Sequence, residues 1–109
     1  MKTTITFFGS ARGSGPVDAY LEALQDREAA SISVALRNIE IRGLKKSTVQ
    51  FRSVDRKLWE LKLGRHRFFY TVKGQELILL HACKKQGQRA RREDLDLARR
   101  RLKLTLSLA

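Results

Sequence analysis

The stretch LWELKLGRHRFFYTVKGQELILLHACKK, residues 58–85, decides the fold. Residues 58–63 alternate, with Trp59, Leu61 and Leu63 on one side and Leu58, Glu60 and Lys62 on the other, the period-2 signature of a strand. Gly64 and Arg65 turn the chain. Residues 66–72 form a second strand, with Phe68, Tyr70 and Val72 opposite Arg67, Phe69 and Thr71. Lys73, Gly74 and Gln75 make a hairpin turn. Residues 77–83 are almost wholly apolar, as expected of a strand covered on both faces. The stretch predicts the centre of a largely antiparallel sheet, flanked by Arg and Lys so as to present a basic groove.

Working outward toward the N-terminus, residues 49–54 (VQFRSV) predict another strand, and 44–48 (LKKST) form a basic connection. Asp26 is placed to cap a helix in which Ala29, Ile32, Leu36 and Ile39 make one stripe and Gly43 is the stop. Pro16 opens a shorter helix, with Val17, Tyr20, Leu21 and Leu24 at helical spacing. Tyr20 fits that stripe and reads as core. Together the two helices predict a hairpin with one apolar side. Residues 2–8 (KTTITFF) predict a first strand, followed by the loop GSARGSG. Its glycines lack both the GxGxxG and the phosphate-loop spacing, so nucleotide binding of those types is not expected. Toward the C-terminus, a basic loop KKQGQRARR precedes a helix whose first turn holds Glu93 and Asp94 and whose stripe is Leu95, Ala98 and Leu102. The end, LKLTLSLA, fits either an alternating strand or a second helical stripe through Leu97, Leu104 and Leu108, and exposes leucine to a partner surface. The order β-α-α-β-β-β-β-α predicts an α+β fold, a single domain spanning residues 1–109.

A chain of 109 residues buries roughly two-thirds of its unfolded surface, enough for one modest core. One cysteine, Cys83, excludes an internal disulfide and a multi-thiolate zinc cluster. No run reaches the ~20 apolar residues that cross a bilayer, and the N-terminus has no apolar signal region. A soluble protein of the reducing cytoplasm is expected, without membrane association.

The charge is one-sided: 23 Lys and Arg against 11 Asp and Glu, a formal net charge of +12. Half of that excess lies in residues 84–103, where nine basic residues face three acidic ones. Such a concentration suits a phosphate backbone, because each neutralised phosphate releases counterions. Trp59, His66 and Phe69 are the available stacking partners for single-stranded RNA. With only His66 and His81, no Ser/His/Asp order, metal-ligand spacing or carboxylate pair stands out. RNA cleavage does not require them. Lys and Arg stabilise a phosphorane electrostatically, and a lysine crowded by like charges can act as a base.

The quoted stretch and its continuation resemble the RelE/HigB superfamily of toxins from type II toxin–antitoxin modules, closest to the phage-derived, HigB-like branch. That pattern runs L-W-E-L-R, R-x-x-Y, L-L-H-G-F, K-K-x-x-Q-K-T-P and E-x-x-x-A-x-x-R. It is matched here at Leu58, Trp59, Glu60, Leu61, Arg67, Tyr70, Leu79, Leu80, His81, Lys84, Lys85, Gln88, Asp94, Ala98 and Arg101. The resemblance implies a RelE-like fold and a metal- and cofactor-independent, ribosome-dependent mRNA endonuclease that inhibits translation. It implies as partners the ribosomal 30S A site, mRNA and a helix-turn-helix antitoxin, with operator DNA met only through that antitoxin. Carried over, the catalytic set is Lys62, Arg67, Lys84 and Lys85, with Arg67 holding the scissile phosphate. Arg65, His66, Gln88, Arg89, Arg91 and Arg92 would bind RNA. The sequence departs from the family at Cys83 (usually Phe) and Ala90-Arg91 (usually Thr-Pro), and its last helix has no tyrosine. The general acid and base therefore stay unassigned among His66, His81 and Lys62, with His81 reading better as structural. A gyrase-inhibiting ParE-like toxin and a non-catalytic RNA-binding regulator are the alternatives.

Overall fold

The alternating runs pair into one sheet because each has an apolar side to bury. In a computed structural model, which describes residues 3–10, 15–43 and 50–107, eight elements follow in order: β1 (Thr4–Phe7), α1 (Pro16–Glu22), α2 (Asp26–Arg42), β2 (Gln50–Asp55), β3 (Leu58–Leu63), β4 (His66–Lys73), β5 (Glu76–Lys84) and α3 (Arg92–Ser107). Lys2, loop residues 11–14, the connection 44–48 with Val49, and Leu108 lie outside the described residues.

The five strands are ordered β1-β5-β4-β3-β2. All neighbours are antiparallel except β1, which runs parallel to β5, so the sheet is mixed. The α+β fold expected from the sequence is the one observed, with the quoted stretch supplying the three inner strands.

Two cores lie on opposite faces of the sheet. On one, Leu61, Leu63, Phe68, Tyr70, Leu77 and Leu79 pack under Val17 of α1 and Ile32, Leu36 and Ile39 of α2. The two N-terminal helices thus share one apolar side against the sheet. On the other, Leu58, Phe69, Ile78 and Leu80 meet Ala98 and Leu102 of α3. Fully burying one Leu or Phe side chain contributes about 1.5–3 kcal/mol, so both layers are needed to hold so small a domain.

A bulge in β5 decides which side chains share a face. Phe69 pairs with His81 but Tyr70 pairs with Leu79, so Leu80 is the extra residue. Leu80 and His81 therefore both lie on the α3 side, and the alternation resumes one step out of phase. Lys84 then falls directly opposite His66, on the side of α1 and α2.

Pro16 is the first residue of α1, as expected. Gly15 before it leaves no room for a Cβ, which would collide with the Phe8 carbonyl oxygen, and its N–H donates to Asp18 Oδ2 at 2.9 Å. Asp26 does not cap α2; Gln25 is the cap, without a side-chain hydrogen bond, and Asp26 is the first helical residue. The C-terminal leucines continue α3 as helix to Ser107, leaving Leu104 and Leu106 exposed. Among the described residues no helix is long and apolar enough to cross a membrane.

Candidate nucleic-acid interface

The ends of β3, β4 and β5 converge where the basic loop begins. The backbone N–H of Lys85 donates to the Arg65 carbonyl at 2.6 Å, joining the start of that loop to the β3–β4 turn. Beside this junction lies a cleft of about 500 Å³ lined by Glu28, Ser31, Lys62, Arg65, His66 and Lys85, among others. Lys62, Lys84, Lys85 and Arg89 make no ion pair among the described residues, so their charges face solvent or a ligand.

On the α1/α2 side of this end, His66 is 1% exposed yet satisfied at both ring nitrogens. Tyr20 Oη is 2.6 Å from Nδ1, and Glu28 Oε2 is 2.7 Å from Nε2. Glu28 also receives Arg65 Nη2 at 3.4 Å. The hydrogen bond from His66, followed by the charges of His66 and Arg65, holds the Glu28 carboxyl below its ordinary range. Burial, reinforced by nearby anions, pushes the Tyr20 phenol up to about 12. An ionised Glu28 can only accept. In the neutral imidazole His66 Nε2 therefore carries the proton, and Nδ1 accepts the Tyr20 hydroxyl.

The α3 side is organised differently. Arg67, 1% exposed, donates from Nη1 to Glu60 Oε2 at 2.8 Å and from Nη2 to the Gly87 carbonyl at 2.9 Å. Arg52 Nε stands 3.3 Å from the other Glu60 oxygen, an ion pair without hydrogen-bond alignment. Gly87 has φ +96°, open to glycine but strained for other residues. Arg67 thus anchors the basic loop from beneath. Further along β5, His81 Nε2 meets Asp94 Oδ1 at 2.7 Å, and Arg101 Nη1 reaches both the Leu80 carbonyl (2.9 Å) and His81 Nδ1 (3.3 Å). Burial, then the Asp94 carboxylate, pushes the Cys83 thiol up to about 12.

His81, Cys83 and Asp94 bring three potential metal-ligand atoms within 4.8 Å of one another. The surroundings do not suit a cation. Arg101 can only donate to Nδ1, so Nε2 keeps its proton for Asp94. A metal on Nε2 would move that proton to Nδ1, against the guanidinium. The group is a clasp between β5 and α3.

Residues 19–103 match the family described as phage-derived protein Gp49-like (DUF891). The chain belongs to the Gp49-like family. In fold, the Gp49-like chain is similar to a chain of the toxin–antitoxin complex RelBE2 from Mycobacterium tuberculosis. The two share 16% identity over 78% of this chain and 100% of that one, with a TM-score of 0.53. At that identity the likeness concerns the fold. No curated protein matches the sequence significantly.

The Gp49-like protein distributes the residues expected from its sequence over two faces. Lys62 and Arg67 are a cross-strand pair on the α3 side, whereas Lys84 is paired with His66 on the other. Arg67 is engaged below the surface, not presented to a phosphate. His66 and Phe69 are buried, so neither ring is open for stacking. Trp59 is half-buried and stacks on Tyr70. Gln88, Arg89 and Arg92 are exposed on the loop and the start of α3, with Arg92 4.0 Å from Asp96. Arg91 is tied to Glu93 (3.2 Å) and Gln86 (3.1 Å). His81 is held at both ring nitrogens, by Asp94 and Arg101.

Two features escaped the sequence reading. Glu60 was legible as the partner of Arg67, since a two-residue turn at Gly64-Arg65 sets Lys62 opposite Arg67 and leaves Glu60 one step away on the same face. The Tyr20–His66–Glu28 chain was not. It joins three elements, and Tyr20 shows only an apolar spacing in the sequence.

Proposed function

We propose that this protein is the toxin of a type II toxin–antitoxin pair, of the HigB-like branch, and that it cleaves mRNA on the ribosome. What carries the reading is a polar cleft lined by the unpaired cations Lys62 and Lys85, with Lys84 and Arg89 exposed at the end of β5 and on the loop after it, on a RelE-like fold. Membership in the Gp49-like family and likeness to a chain of a toxin–antitoxin complex support it. Lys84 and Lys85 meet the scissile phosphate and stabilise its developing charge. Arg65, Gln88, Arg89, Arg91 and Arg92 follow the RNA backbone, and Lys62 borders the cleft from β3. Arg67 acts from below by fixing the loop at Gly87. The partner in the resting cell is a helix-turn-helix antitoxin, and the place of action is the ribosomal A site in the cytoplasm.

Expression of the chain alone should arrest growth, with new mRNA 5′ ends at codon positions in primer extension. Lys84→Ala combined with Lys85→Ala should restore growth while the protein stays folded. Arrest with intact mRNA and blocked DNA replication would instead indicate a gyrase-inhibiting toxin. Ribosome binding without cleavage or arrest would indicate a regulatory RNA-binding protein.

A further inference from the structure

We propose that Tyr20, His66 and Glu28 form a proton relay that activates the attacking 2′-hydroxyl of bound RNA, with Tyr20 as the member that touches substrate. The inference rests on the endonuclease reading and names the proton acceptor that reading lacks.

The order of groups supports it. Glu28 accepts from His66 Nε2 (2.7 Å), which leaves Nδ1 as the acceptor for the Tyr20 hydroxyl (2.6 Å). The Tyr20 proton is therefore already directed inward, and Tyr20 itself is only half-buried. A hydroxyl, an imidazole and a carboxylate in sequence is the arrangement by which a buried histidine draws a proton through a hydroxyl group. The carboxylate stabilises the imidazolium that results. The chain of contacts at His81 cannot do this, because its Nδ1 is met by the Arg101 guanidinium, which does not release a proton.

The surroundings also suit the reaction. Four elements place charged or titratable groups around His66: Tyr20 from α1, Glu28 from α2, Arg65 from the β3–β4 turn and Lys84 from β5. Lys84 is directly opposite His66 in the strand register and is exposed. Its register places it on the same side of the sheet as His66.

The 2′-hydroxyl proton passes to Tyr20 Oη while the Tyr20 proton passes to His66 Nδ1. The 2′-oxygen bonds to phosphorus and the bond from phosphorus to the 5′-oxygen breaks. The leaving 5′-oxygen takes a proton from the Lys84 ammonium. The products are a 2′,3′-cyclic phosphate and a 5′-hydroxyl. The imidazolium then returns its proton through Tyr20 and solvent water to the Lys84 amine, so Tyr20 and Lys84 are catalytic while His66 and Glu28 are positioning residues.

The test uses the full chain with purified ribosomes and mRNA. Tyr20→Phe removes one hydroxyl and keeps the packed ring. It should lower the cleavage rate about 10²–10⁴-fold with ribosome co-sedimentation unchanged. Glu28→Gln should move the acid limb of the pH–rate profile to lower pH, because the imidazolium loses its counter-charge. In ¹⁵N-resolved spectra of the unmodified protein, His66 should be the Nε2–H tautomer. Wild-type cleavage rates in Tyr20→Phe, an unmoved acid limb in Glu28→Gln, or an Nδ1–H tautomer would each overturn the relay while leaving the endonuclease reading intact. A wild-type protein that leaves mRNA uncut overturns that reading, and the relay with it.

Discussion

Arg67 shows how burial changes what a residue can do. Its guanidinium and the Glu60 carboxylate are withdrawn from water together, so removing either leaves an uncompensated buried charge. Arg67→Met should lower unfolding stability by about 3–5 kcal/mol in urea titration. Exposed Lys84→Met should change it by less than about 0.5 kcal/mol. Replacing Arg67 and Glu60 together with apolar residues should recover much of the loss, since no orphaned charge remains. An Arg67→Met protein as stable as wild type would mean the pair is not what holds the Gly87 loop. Cys83 gives a second prediction at this scale. Burial and the Asp94 carboxylate both favour the neutral thiol, with a pKa of about 12, so almost no thiolate exists at pH 8. Alkylation by iodoacetamide should be far slower in the native protein than in urea, as mass spectrometry would show. Equal rates would contradict that environment.

Between elements, ion pairs tie the helices to the turns of the sheet. Glu28 connects α2 to the β3–β4 turn through His66 and Arg65. Arg99 Nε donates to Asp55 Oδ2 at 2.8 Å, connecting α3 to the end of β2. Both carboxyls are held below their ordinary values, Glu28 first by the His66 hydrogen bond and Asp55 first by the backbone N–H of Arg56. A depressed carboxyl stabilises the folded state fully above its unfolded pKa, near 4. That contribution is lost as the pH falls through the folded value. Thermal stability should therefore fall below about pH 4, and Glu28→Gln with Asp55→Asn should flatten that acid slope. An unchanged slope in the double variant would place the acid-sensitive groups elsewhere.

For the whole molecule, the net charge of +12 governs encounter more than folding. Lys85 borders the cleft at the end where β3, β4 and β5 converge, and Arg89 is exposed on the loop that follows. Affinity for ribosomes or single-stranded RNA should fall steeply with salt, and each phosphate contact removed should lessen the log–log slope by about 0.7. Lys85→Gln and Arg89→Gln should each do so in co-sedimentation across a salt series, weakening binding alike across RNA sequences. A slope that is the same in these variants would remove both residues from the interface.

The amino-acid sequence by itself determined the elements, their order and both faces of the inner strands up to the bulge. The reason is local: period-2 alternation in 58–72, helical spacing in α1 to α3, and turn residues at Gly64 and Gly74 depend only on the near chain. It also determined that the basic excess follows β5. Tertiary structure alone decided where that charge points. The Leu80 bulge shifts the alternation by one residue, setting Lys84 beside His66 and apart from Lys62 and Arg67. No composition or spacing encodes that shift, because it depends on how Phe69 and Tyr70 pair across the sheet. Packing likewise decided that Arg67 is sealed under the Gly87 loop. It also decided that Tyr20, spaced like a core residue, brings its one polar atom to a buried histidine 46 positions away.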